Sequence, residues 1–254
     1  MSTMTDNSEE PFPRHPLRPP PPPNYTGRIP NTLLSIVFIA FLLGGTCALG
    51  ALTFFAGGFN PWWATAELGF FAAAWSFFHW GEFAVTAGWN FEKCSVDSYL
   101  LENGSMYHIA HGTAVLEYLV TQFFFPDLKK PYRLLSLFGI IMVILGQTLR
   151  STAMIHASTN FSHAVAFRKR AEHVLVTDGV YRYSRHPSYA GFFYWALGTQ
   201  VVLLNPVCFV GYALVTWRFF SRRVRAEETA LVKFFGDEYV DYRKRVGTGI
   251  PLVP

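Results

Sequence analysis

The chain has 254 residues, of which 51% are hydrophobic and 17% aromatic. Only 15% are charged, where a typical soluble domain carries about 25%. That balance excludes an ordinary soluble domain and points to a membrane protein, and the net charge of +4 comes without a basic, aromatic-interleaved block that would suit nucleic acid.

The chain opens on a Pro-rich polar segment, Pro11 to Pro30, unbroken from Pro19 to Pro23. No signal-peptide pattern precedes the first apolar run, so residues 1–30 are expected to form a disordered cytosolic tail and residues 31–254 a single membrane domain. The uncharged run Leu33 to Phe55 is 23 residues long. At about 1.5 Å per residue it exceeds the roughly 30 Å of bilayer hydrocarbon. Five further apolar stretches follow, at about 64–88, 108–125, 132–155, 188–204 and 206–221. The expected fold is an all-α polytopic bundle of about six membrane helices, with a cytosolic cofactor-binding region.

Ionisable residues inside spans need a reason. Glu67, His79 and Glu82 fall in the second stretch, His108, His111 and Glu117 in the third. His108 and His111 share a helical face, but two histidines without a third ligand favour interhelical hydrogen bonding over a metal. None of these six is expected at the reaction centre. Cys47, Cys94 and Cys208 form neither a CxxC pair nor a disulfide framework. No metal site is expected.

The run Ala190 to Trp217 has 28 uncharged residues, too long for one straight span. Asn205-Pro206 in its middle predicts a turn, hence a tight helical hairpin whose outer ends return to one side. Those ends are the Arg185-His186-Pro187 corner and the Arg222-Arg223 segment. Basic residues at 168–170, Arg182, Arg185 and from Arg222 to Arg245 place both ends in the cytosol, although Lys129, Lys130 and Arg133 then face the other side. In this topology the sequons at Asn24, Asn103 and Asn160 are cytosolic and are expected to be unglycosylated. Beyond the hairpin, Leu231, Phe234, Phe235, Tyr239 and Tyr242 predict one apolar stripe on a helix that lies in the headgroup layer or caps the bundle.

Arg223 and Glu227, four apart, project from one helical face. As a solvated pair they would contribute only about 0.3–0.5 kcal/mol. The hairpin, however, returns them beside Arg185-His186-Pro187. No GxGxxG follows a predicted strand, and there is no P-loop, GxSxG or HExxH. The most site-like stretch is His173 to Gly198, where turn residues, tyrosines and an Arg-His pair meet the mouth of an apolar segment. An interfacial Tyr/Arg-rich loop without chemistry is the plain reading of that stretch. A channel or lipid receptor is the corresponding plain reading of the whole chain.

The segments His173-Val-Leu-Val-Thr-Asp-Gly-Val-Tyr181, Arg185-His-Pro-Ser-Tyr-Ala-Gly191, Gly198-Thr-Gln200, Asn205-Pro206, Trp217-Arg-Phe-Phe220, Glu227-Glu228, Phe234-Phe-Gly236-Asp-Glu-Tyr239 and Gly249-Ile-Pro251 resemble the isoprenylcysteine carboxyl methyltransferases. Asn160-Phe-Ser-His163 also fits. The resemblance is dense over 160–251 and extends to the earlier spans by pattern. It implies an endoplasmic reticulum membrane enzyme, its active site facing the cytosol, that uses S-adenosylmethionine to methylate the C-terminal carboxylate of prenylated cysteine. Its acceptors would be processed CaaX proteins such as small GTPases, its second product S-adenosylhomocysteine. Phospholipid methyltransferases and NADPH-dependent sterol reductases share parts of the Arg-His-Pro-x-Tyr signature and are the alternative.

By resemblance, cofactor contacts fall on His173, Val174, Leu175, Val176, Tyr181, His186, Pro187, Ser188, Tyr189 and Glu227. Arg223 corresponds to a substrate-binding residue, expected to orient the acceptor carboxylate. Arg223 and Glu227 are the catalytic candidates, with Glu227 either holding the cationic part of the cofactor or positioning Arg223. A glutamine that contacts the cofactor in close relatives is Ala166 here, a departure from the pattern.

Overall fold

A computed structural model describes residues 28–166, 168–169 and 173–254. Most of the expected Pro-rich tail, the Asn24 sequon and Arg170 lie outside the described residues. The described residues form seven α-helices: α1 (Leu33–Phe55), α2 (Ala66–Trp89), α3 (Ser105–Phe124), α4 (Arg133–Ala157), α5 (Pro187–Leu203), α6 (Pro206–Phe235) and α7 (Asp237–Arg245). Each of the six apolar stretches is a helix, and the sixth runs on well past its apolar part.

Local chemistry sets the helix starts. Thr32 and Thr65 cap α1 and α2 by accepting from Ser35 N at 3.1 Å and Leu68 N at 3.2 Å. Pro187 and Pro206 open α5 and α6, where a missing N–H leaves no bond unmade. Only Leu43 and Gly50 of α1 are buried. Its Leu34, Phe41 and Phe55 point outward, as do Leu134 of α4 and Val207 of α6. An apolar exterior of this extent requires lipid rather than water.

Helix α5 is the most enclosed and packs chiefly on α4. A Cβ added at Gly146 would lie 2.7 Å from the Gly191 carbonyl oxygen, so both positions must be bare for the helices to approach. This contact holds the His186-Pro187 corner, at the head of α5, against α4.

The hairpin turns at Leu204 and Asn205 as expected, and side chains there bond to main-chain groups of neighbouring helices, while Asn205 Oδ1 is buried without a partner. Asn205 Nδ2 donates to the Ala114 carbonyl at 2.8 Å. Glu117, one of the charges read within a span, accepts from Val207 N at 3.0 Å and Cys208 N at 2.7 Å, capping α6 from α3. Lys129, from the basic loop that disagreed with the orientation, donates to the Leu203 carbonyl at 2.8 Å and lies 3.8 Å over the Tyr118 ring. That lysine is engaged as a helix cap.

Two expectations are corrected. The apolar stripe does not belong to one helix: Gly236, at φ +57°, separates α6, which carries Leu231, Phe234 and Phe235, from α7, which carries Tyr239 and Tyr242. Nor do both histidines of α3 bond across helices. His111 Nδ1 pairs with Tyr107 O of its own helix at 3.0 Å, and His108 is exposed. The interhelical histidine is His79, which donates from Nδ1 to Tyr99 O and accepts at Nε2 from Tyr107 Oη, both at 2.7 Å.

Candidate active site

The open end of the hairpin borders a cleft enclosing about 690 Å³ of free space, the open solvent at its mouth included. One wall is the extended segment Val174–Val176, held where Asn160 Oδ1 accepts from Val174 N at 2.8 Å. Tyr181 follows on a short turn pinned at Asp178, whose carboxylate accepts from His156 Nε2 at 3.1 Å and is thereby held below the usual carboxylate range. The Arg185–Tyr189 corner makes the floor. Glu227, Leu231 and Phe235 of α6, with Tyr239 and Tyr242 of α7, close the far side.

The corner is fixed from beneath by Glu228. Arg185 Nε and Nη2 each lie 2.9 Å from Glu228 Oε1, and His186 Nε2 lies 3.2 Å from the same oxygen. Burial alone would raise the Glu228 carboxyl, but the His186 hydrogen bond and the Arg185 charge outweigh it and hold it low. Arg185 N donates to Gly247 O at 2.9 Å and Ser184 Oγ to Thr248 O at 2.7 Å, so the segment after α7 straps the corner down. Tyr242 donates to the Tyr181 carbonyl at 2.5 Å. Burial pushes the Tyr242 phenol up to about 12, so it remains a donor at neutral pH.

Facing the cleft, the His186 ring stacks on Tyr189 with centroids 5.4 Å apart and planes 2° from parallel. Tyr189 Oη donates to Glu227 Oε2 at 2.5 Å and accepts from Arg223 Nε at 2.8 Å. Arg223 and Glu227 are therefore joined through Tyr189. Arg223 Nη2 also donates to the His163 carbonyl. Among the described residues no carboxylate pairs with the Arg223 guanidinium, which keeps its charge available.

Nine of the ten residues given as cofactor contacts line this cleft, from Val174 to Glu227. His173 stands beside the Phe234 ring, 6.2 Å between centroids, outside those walls. Arg223 lies behind Tyr189, and Ala166 is exposed away from the cleft. Val174–Val176 and the paired rings suit a flat apolar group, and the Glu227 carboxylate suits a cation, which is the donor set an adenosyl sulfonium requires.

Beneath the site lies a buried ion network. Glu82, placed away from the reaction centre on sequence alone, is fully buried in α2 and bonded by both carboxylate oxygens to Arg150 of α4, with Nη2 to Oε2 at 2.8 Å. Arg150 Nη1 reaches Ser188 Oγ at 3.0 Å and its carbonyl at 3.2 Å. His163 Nε2 donates to Glu82 Oε2 at 2.9 Å. Glu82 thus reaches Arg223 through His163, and Arg150 reaches the corner through Ser188. Sequence reasoning missed Arg150 and Glu228. An arginine deep within one apolar span and a glutamate deep within another were the available signal for the first.

Comparison with known proteins identifies the family. The model of the isoprenylcysteine carboxyl methyltransferase family matches residues 139–233. The protein-S-isoprenylcysteine O-methyltransferase of Saccharomyces cerevisiae is 44% identical over 228 residues, covering 88% of this chain and 93% of that protein. The Xenopus laevis enzyme of the same name is 45% identical over 194 residues, covering 76% of this chain and 66% of that protein. A solved structure described as the eukaryotic intramembrane Ras methyltransferase ICMT is similar with a TM-score of 0.81 and 39% identity, over 86% of this chain and 77% of that one. With near-complete coverage of the yeast relative, this chain belongs to the isoprenylcysteine carboxyl methyltransferase family and is a membrane enzyme.

Proposed function

We propose that this isoprenylcysteine carboxyl methyltransferase takes its methyl group from S-adenosylmethionine in the cleft below Glu227, and that Arg223 orients the acceptor carboxylate. Its acceptors are prenylated C-terminal cysteines of CaaX proteins, farnesylated or geranylgeranylated. Residues 31–254 act as one domain whose six apolar helices cross the endoplasmic reticulum membrane, with the cofactor-binding part, about 157–254, on the cytosolic side. The observation that carries this reading is the Arg223–Tyr189–Glu227 chain: a cation for the acceptor lies 2.8 Å from the Tyr189 phenol, which lies 2.5 Å from the Glu227 carboxylate in the cleft wall.

When bound, S-adenosylmethionine supplies an electrophilic methyl on a sulfonium. The residues of the chain need supply no general base, because an α-carboxyl group with a pKa of about 3.5 is already ionised near pH 7. Glu227 offers a negative charge to the cationic part of the donor, and the stacked His186 and Tyr189 rings offer it a flat wall. Arg223 holds one carboxylate oxygen without transferring a proton, so the other is free to attack in line. Alignment of this kind contributes up to several kcal/mol. The lipid-facing helices receive the prenyl chain, at about 0.8 kcal/mol per buried CH₂.

Incubating the purified enzyme with methyl-labelled S-adenosylmethionine and N-acetyl-S-farnesylcysteine tests the reading. Base-labile label in the prenylcysteine ester is expected. Label in phospholipid instead, or none with NADPH protecting the enzyme against heat, would replace it with one of the alternative activities.

A further inference from the structure

Arg223 stands between two clefts. Its Nε donates to Tyr189, which lines the first, and its Nη2 donates to the carbonyl of His163, which lines a second. The second cleft, its solvent-open mouth included, holds about 760 Å³ of free space between the end of α2, the segment leading to α3 and residues 162–164. Ser162 belongs to the walls of both. The partition between them is held from the second side: Asn90 Nδ2 donates to the Phe161 carbonyl at 2.9 Å, and Lys93 Nζ to the carbonyls of Thr159 and Phe161 at 2.6 and 2.8 Å.

Most residues that line this second cleft carry polar side chains, with Leu100 and Ala164 between them. Thr86 has a hydroxyl that donates to the Glu82 carbonyl, Ser95 and Ser98 have hydroxyls that accept from N–H groups of their own turn, and Asn90 adds an amide, Asp97 and Glu102 carboxylates and Lys93 an ammonium. Asn90 is 6% exposed, and its Oδ1 accepts no hydrogen bond. A buried carbonyl without a donor is unusual and suits an incoming N–H. The methyl transfer itself leaves this space unused.

A carboxylate held at Arg223 ends a polypeptide, so three groups diverge from that point. The donor takes the first cleft, the prenyl chain goes to lipid, and the preceding residues need a polar trough that begins at the same guanidinium. We propose that the second cleft receives the polypeptide segment immediately before the prenylated cysteine. The inference rests on the role given to Arg223 under the proposed function. Hydroxyls and amides meet main-chain groups whatever the sequence, whereas Glu102 at the rim favours basic side chains. Glu102 pairs with Arg28 at 2.9 Å on the surface, a contact that a substrate cation exchanges readily.

The test uses the full chain and two acceptors: N-acetyl-S-farnesylcysteine, which has no preceding residues, and a farnesylated hexapeptide with two upstream lysines. Asn103→Trp obstructs the exposed rim and Glu102→Lys reverses its charge. Each is expected to raise KM for the peptide about tenfold while leaving kcat/KM for the single-residue acceptor within about twofold of wild type. Exchanging the peptide lysines for glutamates should raise KM in the wild type and lower it in Glu102→Lys, which a merely structural defect would not do. Equal losses on both acceptors, or an unchanged peptide KM in both variants, would overturn the proposal. Failure of the wild type to methylate N-acetyl-S-farnesylcysteine would overturn the underlying reading of function instead.

Discussion

The two ends of the α5–α6 hairpin use the same ingredients to opposite effect. At the turn, Glu117, Asn205 and Lys129 bond to main-chain groups of neighbouring helices, so every charge is spent on closing helix termini. At the open end, Arg223, Tyr189 and Glu227 bond in series, with Tyr189 and the Glu227 carboxylate in the wall of a cleft and Arg223 behind them. Polar groups near lipid are costly in both places. Satisfied by backbone, they act as scaffold; left facing a cavity, they await a ligand.

Breaking the buried support beneath the open end should have the largest effect. Glu82→Leu strands the Arg150 charge and is expected to destabilise the enzyme by about 3–5 kcal/mol, read from detergent-phase unfolding. The double variant with Arg150→Met should recover most of that stability yet remain slow, since Ser188 and the His163 side chain then lose their charged partners beneath the site. Full turnover in the double variant would reduce the network to packing. Next, Glu227→Gln should weaken the proposed donor by about 10- to 100-fold, equivalent to roughly 1.5–3 kcal/mol for a lost charged contact, with Tm unchanged. Calorimetric titration measures this directly. At the turn the pattern should reverse: Glu117→Gln is expected to lower stability by about 1 kcal/mol through a weakened cap while KM for both substrates holds.

The smallest effect is a pH dependence. Glu228 is held below the usual carboxylate range, so its contribution is present above the unfolded value and lost as pH falls through the folded one. Melting measured from pH 6 downward should therefore fall more steeply below about pH 4.5 in the wild type than in Glu228→Gln. Parallel slopes would contradict it.

Much of this comparison was legible in the sequence. Hydropathy located the helices, and Asn205-Pro206 located the turn. The return of Arg223 to the His186-Pro187 corner followed from that turn alone. The break at Gly236 was not legible, because Leu231, Phe234 and Phe235 on one side and Tyr239 and Tyr242 on the other each keep helical spacing across it. Nor was the partnership of Glu82 with Arg150, whose 68-residue separation carries no local pattern. Glu228 was hidden beside Glu227: adjacent positions point about 100° apart on a helix, yet His186 reaches toward both, at 3.2 Å and 3.8 Å.

The most direct test is Arg223→Ala, assayed in parallel for S-adenosylmethionine affinity and for turnover of N-acetyl-S-farnesylcysteine. Donor binding is expected within about twofold of wild type, with a loss of kcat of about a thousandfold, the equivalent of roughly 4 kcal/mol of transition-state stabilisation. Near-normal turnover, or donor binding lost in proportion to activity, would contradict it.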